Sequence, residues 1–139
     1  MHIPMREVKA AYDEYVAAGE KDTESVKHLG GTAGESGQVV YCPEYDEMLF
    51  EAICELGSTE GVFFGHDHLN NFVIEYKGVV FSYGYSIDYS AYAGIAKRGA
   101  QRGCSVITCG ADGITVTHEN YYQDKYRPLY EKERVDVSK

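Results

Sequence analysis

The 139-residue chain contains no tryptophan and no run of the ~18 consecutive apolar residues that a membrane-spanning helix requires. It has no excess of positive charge either. Against 13 Lys and Arg stand 22 Asp and Glu, a formal net charge of −9. Such a surface repels phosphate polyanions, which excludes nucleic-acid binding through a basic face. A small phosphorylated substrate stays compatible with that charge if metal ions supply positive charge locally. The first residues, "MHIPMREVKAAYDEYV", show no charged segment leading into an apolar one, so they do not read as a signal peptide. No internal repeat and no linker divides the chain.

What is present is globular in character. Hydrophobic residues make up 44 % and tyrosine occurs 13 times, enough apolar material for one domain with a real core. Four cysteines, Cys42, Cys54, Cys104 and Cys109, are expected as buried free thiols. "CSVITC" alternates like a strand, and residues five apart on a strand face opposite ways, so Cys104 and Cys109 do not chelate one ion together. Unpaired thiols lean only weakly towards a cytoplasmic setting.

Periodicity predicts the elements. Residues 4–18 repeat at a helical period through Met5, Val8, Ala11, Tyr12, Tyr15 and Val16, closed by Gly19. "EKDTESVKHLGGTAGESGQ" reads as a long surface loop. "PEYDEMLFEAICELG" reads as a second helix with a buried stripe of Met48, Leu49, Ala52, Ile53 and Leu56. Beyond it the period becomes two. "GVFF" is a short strand, "NFVIEYKGVVFSYGY" a pair of strands turning at Lys77-Gly78, and "CSVITCGADGITVTHENYY" a hairpin turning at Ala111-Asp112-Gly113. Between the hairpins lies an irregular stretch rich in tyrosine and glycine. That gives two helices and about five strands, all the helices early, as though layers of a larger sandwich were missing.

The triplet His66-Asp67-His68 follows directly on the apolar strand "GVFF". In an extended segment residues two apart lie on one side, roughly 6.5–7 Å apart at Cα. Two imidazoles so placed suit one ion each in a two-metal site, whose ions lie about 3.5–4 Å apart. Spacing alone leaves an ordinary loop as the alternative. His28 and His118 read as ordinary surface or strand histidines.

Together, "HIPMREVKAAY", "GESGQVVYCPEYDEMLFEAI", "FFGHDHLNNF", "YKGVVFSYGY" and "AKRGAQRGCSVI" resemble the calcineurin-like metallophosphoesterases, in particular the group similar to purple acid phosphatases. The resemblance runs over roughly residues 2 to 110 in the family's order and covers its C-terminal half only. It implies an α/β fold: the C-terminal half of a four-layer αββα sandwich, a mostly antiparallel sheet with two helices on its outer side. Residues 1–118 would form that half domain and 119–139 a charged tail. The resemblance implies His2, His66 and His68 as ligands of a pair of manganese, zinc or iron ions. It implies hydrogen-bonding support from Asp67, Asn70 and Asn71, and places Glu35 and Tyr85 towards the entrance.

The family's Asp-x-His, Gly-Asp-x-x-Asp and Gly-Asn-His motifs do not occur in this sequence. Three neutral imidazoles without a bridging carboxylate leave two dications uncompensated, so one weakly held ion is the most expected. The first functional reading is therefore a partial phosphoric ester hydrolase of two-metal type, inactive as this chain alone, whose complete domain would act on a phosphorylated small molecule. Met1 would then be a boundary within a longer protein. The alternative is a non-catalytic interaction scaffold derived from the same fold. Its open sheet edges, and the tyrosines from Tyr76 to Tyr92, would favour pairing with a second copy or with the missing N-terminal half. A self-contained metal module unrelated to that family is a third, weaker reading.

Overall fold

A computed structural model describes residues 1–45, 48–86 and 103–120. The irregular stretch before the last hairpin and the tail after Asn120 lie outside the described residues. So do Tyr89 and Tyr92, two of the tyrosines singled out for an interface.

The first helix, α1 (Arg6–Ala17), starts just after Pro4 and Met5, both buried. A Schellman closure ends it: Gly19 N–H donates to Val16 O at 2.9 Å and Glu20 N–H to Tyr15 O at 3.0 Å, with Gly19 at φ +72°. Val8 and Ala11 are fully buried, Tyr12 and Tyr15 half-buried, and Val16 exposed. The predicted stripe is thus real but narrower than its period suggests.

Strand β1 (Val26–Gly30) lies inside the segment read as a loop. It pairs antiparallel with β3 (Val73–Tyr76), which turns through Lys77-Gly78 into β4 (Val79–Tyr83). Lys77 at φ +50° and Gly78 at φ +83° give the doubly left-handed turn that matches the strands' twist. β1 escapes sequence reading because only Val26 is fully buried along this edge strand, its other inward positions are His28 and Gly30, and Leu29 faces outward. Strand β2 (Gly61–Phe64) pairs parallel with β4, so the sheet order is β1-β3-β4-β2.

One face of this sheet is aromatic. Phe72, Ile74 and Tyr76 lie beside Val79, Phe81, Tyr83 and Phe64, with Phe72–Tyr83 centroids 4.9 Å apart and Phe64–Phe81 5.8 Å. Tyr12 of α1 meets Phe72 at 4.8 Å, and Phe50 of α2 (Leu49–Leu56) meets Phe81 at 5.5 Å. Both helices therefore cover that face. Each buried ring contributes roughly 1.5–3 kcal/mol by transfer alone.

Helix α2 departs most from expectation. Phe50 is its buried residue, Ile53 is half-buried, and Met48, Leu49, Ala52 and Leu56 are exposed, Leu56 by 77 %. The helix is two turns long and touches the sheet through one ring, so most of the predicted stripe faces outward.

A separate hairpin, β5 (Gly103–Gly110) and β6 (Gly113–Asn120), approaches the sheet's other face. At Gly61 an added Cβ would lie 2.3 Å from Ile114 Cδ1, so the hairpin closes on β2 with the tip of the Ile114 side chain against the Gly61 backbone. None of the four cysteines forms a disulfide, as expected, but none is buried: Cys54 and Cys109 are exposed, Cys42 and Cys104 half-buried. Among the described residues the architecture is α/β, with two helices and mostly antiparallel sheets.

Candidate functional site

The outer edge of β2 builds the site. Gly65 N–H donates to His2 O at 3.1 Å, and the Met1 nitrogen donates to Phe63 O at 2.8 Å. These bonds lay the first residues along β2 on the side away from β4. They bring the His2 and His66 rings to 5.2 Å between centroids, with planes 80° apart.

Beyond Gly65 the chain turns. His66 adopts φ +68°, a left-handed conformation that costs a non-glycine residue of order 1 kcal/mol or more and clusters at functional sites. Asp67 N–H donates to Gly65 O at 2.9 Å and Asn70 N–H to Asp67 O at 3.2 Å. The extended triplet expected from spacing is therefore a turn. His2, His66 and His68 nonetheless line one cleft of about 460 Å³, together with Gly65, Asp67, Gly84, Tyr85 and Ser86. His2 is exposed, and His66 and His68 are half-buried.

Asp67 anchors the turn in the core. Its Oδ2 accepts from Tyr83 Oη at 2.5 Å and from Tyr41 N at 3.2 Å. Burial pushes its pKa above the usual carboxylate value, against the opposite pull of the Tyr83 hydroxyl, the Tyr41 N–H and His66. Burial, then the neighbouring carboxylate, push the Tyr83 phenol well above its ordinary value, so it remains the donor.

The two asparagines pin the glycine-rich loop. Asn70 Oδ1 accepts from Gly34 N at 3.0 Å and Glu35 N at 3.3 Å, while its Nδ2 donates to Val39 O at 2.6 Å. Asn71 Oδ1 accepts from Thr32 N at 2.6 Å, and Asn71 N–H donates to Thr32 O at 3.0 Å. Glu35 returns the contact, its Oε1 accepting from Leu69 N at 3.0 Å. Glu35 thus holds the turn through Leu69. Tyr85 does line the cleft.

His118 is the residue that sequence reasoning passed over. It is half-buried, with Nε2 2.6 Å from Asn71 O and Nδ1 2.9 Å from Ser105 Oγ. A carbonyl only accepts, so Nε2 carries the proton and Nδ1 accepts from the serine. Ser105 Oγ in turn accepts from Tyr85 N at 3.0 Å, and the Tyr85 ring lies 4.9 Å from the imidazole. Burial, the largest influence, holds the His118 pKa below its ordinary value. The one signal in the sequence was hairpin register, which sets Ser105 opposite His118.

The donors do not complete a metal-binding set. Among the described residues no group of three or more His, Cys, Asp or Glu side chains is placed to hold one ion. Asp67, the carboxylate between the histidines, is engaged in the core. What the cleft offers is imidazole nitrogens without a compensating negative ligand.

Over 59 residues, 42 % of the chain, the sequence is 34 % identical to a probable inactive purple acid phosphatase of Arabidopsis thaliana. That match covers 15 % of the plant protein's length. No family model matches the chain. No solved structure matches it.

Proposed function

We propose that the chain is a metallophosphoesterase-derived unit carrying the late half of a dinuclear metal site, with His2, His66 and His68 as that half's ligands. The observation that carries this reading is the meeting of His2 with His66 and His68 in one cleft, although His2 is far from the other two in sequence. The partial likeness to a phosphatase supports it. The finer fold belongs to the same proposal: the sheet and its two helices would be the C-terminal half of a four-layer αββα sandwich. A pair of manganese, zinc or iron ions would be bound, and a phosphorylated small molecule hydrolysed, only in a complete domain. Among the described residues the donor set is incomplete, and on this reading the chain by itself has no catalytic step.

Release of p-nitrophenol from p-nitrophenyl phosphate tests the lack of catalysis. With added manganese or zinc, wild type and His66→Ala are expected to match the buffer blank. Turnover in wild type that His66→Ala abolishes would overturn the reading.

A second reading is a non-catalytic interaction scaffold, favoured by one observation: the exposed apolar side chains Met48, Leu49 and Leu56 along α2. On that reading the helix is a contact surface, and Leu56→Glu lowers the mass of any assembly measured by sedimentation. An unchanged mass would remove its support.

A further inference from the structure

We infer that His118 is a positioning residue that ties the β5–β6 hairpin to both sides of the histidine cleft. This deepens the proposed function and rests on it for the cleft's role, though not for the tie itself. The connection runs through two hydrogen bonds of opposite sense from one ring. Nε2–H donates to the Asn71 carbonyl, which ends the turn carrying His66 and His68. Nδ1 accepts from Ser105, whose oxygen accepts the Tyr85 N–H, and Tyr85 and Ser86, which follow β4, line the same cleft. Asn71 also binds Thr32 of the glycine-rich loop, so the same ring is linked to that loop through one peptide.

The hairpin stands outside the hydrogen-bond ladder of the four-stranded sheet. Its strands pair with each other and not with the four-stranded sheet. Among the described residues, contacts between them include Ile114 against Gly61 and the group around His118. A half-buried ring bonded at both nitrogens fixes orientation, whereas an apolar contact alone lets the hairpin slide.

The tie requires a neutral ring with one fixed tautomer. Protonation would place a donor at Nδ1, towards a serine hydroxyl that would then have to turn its own proton elsewhere. Tyr85 is the titratable group against the ring; Cys104 and Glu119, a cross-strand pair, flank it on the hairpin. On the Asn71 and Thr32 side, the groups bonded together are an amide and a hydroxyl, which do not titrate.

Amide hydrogen exchange and a pH titration followed by two-dimensional NMR test this without any metal. In His118→Ala, exchange at Tyr85, at residues 65–72 and across the hairpin is expected to quicken at least about tenfold. Exchange within α1 is expected to stay within about twofold. In wild type the Tyr85 and Asn71 amide signals are expected to move together below pH ~6.5, as the ring charges. His118→Gln keeps an acceptor and a donor without titrating, so it is expected to restore slow exchange and abolish that movement. Unchanged exchange at Tyr85 in His118→Ala, or equal acceleration in α1, would overturn the inference. So would an unaltered pH profile in His118→Gln, which decides the matter even if the alanine variant fails to fold. Zinc titration of the same samples separates the two claims. Two tightly held zinc ions per chain, or zinc uptake unchanged by His66→Ala, would defeat the metal reading, and the exchange pattern would still stand or fall by itself.

Discussion

Asp67 Oδ2 lies 2.5 Å from Tyr83 Oη in the core, while the histidines on either side of it line the cleft. One residue of the triplet is an anchor and two are presented. Removing the donor should therefore harm the fold rather than the cleft's chemistry. Tyr83→Phe leaves the buried carboxylate one bond short, and about 1–3 kcal/mol of stability is expected to be lost in urea unfolding. Loss below about 0.5 kcal/mol would mean the pair is not made in solution.

The same carboxylate makes stability depend on pH. Its folded-state pKa is raised, so the folded state favours the protonated acid. The contribution is fully present below the unfolded value of about 3.9 and is lost as pH rises through the raised folded value. Asp67→Asn removes that component. Over the range from about pH 3.5 to 6, the difference in unfolding free energy between Asp67→Asn and wild type is expected to shift in the variant's favour as pH rises. A flat or reversed difference would contradict a raised carboxyl pKa in the folded protein.

Asn70 is fully buried and bonds three backbone groups of the glycine-rich loop. Asn70→Ala is expected to cost roughly 2–4 kcal/mol, because two N–H groups and a carbonyl lose their partner together. Limited proteolysis should then cut between residues 32 and 41 before it cuts α1. Cleavage that begins elsewhere would show the loop to be held by other means.

Gly34 passes so close to the turn that an added Cβ would lie 2.4 Å from Leu69 O, a backbone atom that cannot swing aside. Gly34→Ala is expected to lower the thermal midpoint, by the equivalent of about 1–3 kcal/mol. An unchanged midpoint would mean that loop and turn do not touch as described.

On α2 the two ends of the apolar pattern should behave oppositely. Phe50 is buried against Phe81 and Tyr76, and Phe50→Ala is expected to cost about 3–5 kcal/mol. Leu56→Glu is expected to change stability by no more than about 0.5 kcal/mol. Equal costs for the two would restore the buried stripe read from sequence.

That helix shows where sequence reading stops. A helical period identifies a helix with an apolar side, but which side is covered depends on what packs there, and here the cover is one ring. Lys77-Gly78 was legible because a tight turn between strands demands left-handed residues, a local rule. Strand β1 was not, because its ladder partner β3 lies far along the chain and its inward positions after Val26 are His28 and Gly30 while Leu29 faces outward, so its hydropathy does not follow the alternation of its burial. In the site, the "GHDH" and "HIP" motifs drew attention to the three histidines that share the cleft. The inward role of Asp67 and the tie through His118 depend on tertiary neighbours, Tyr83 and Asn71, that no spacing announces.

The most direct test of the account is metal content per chain, by elemental analysis after equilibration with manganese and zinc, in wild type and His66→Ala. The expected result is at most one weakly held ion in wild type and none in the variant, as imidazoles without a compensating carboxylate allow. Two tightly held ions per chain, or uptake unaffected by His66→Ala, would contradict it.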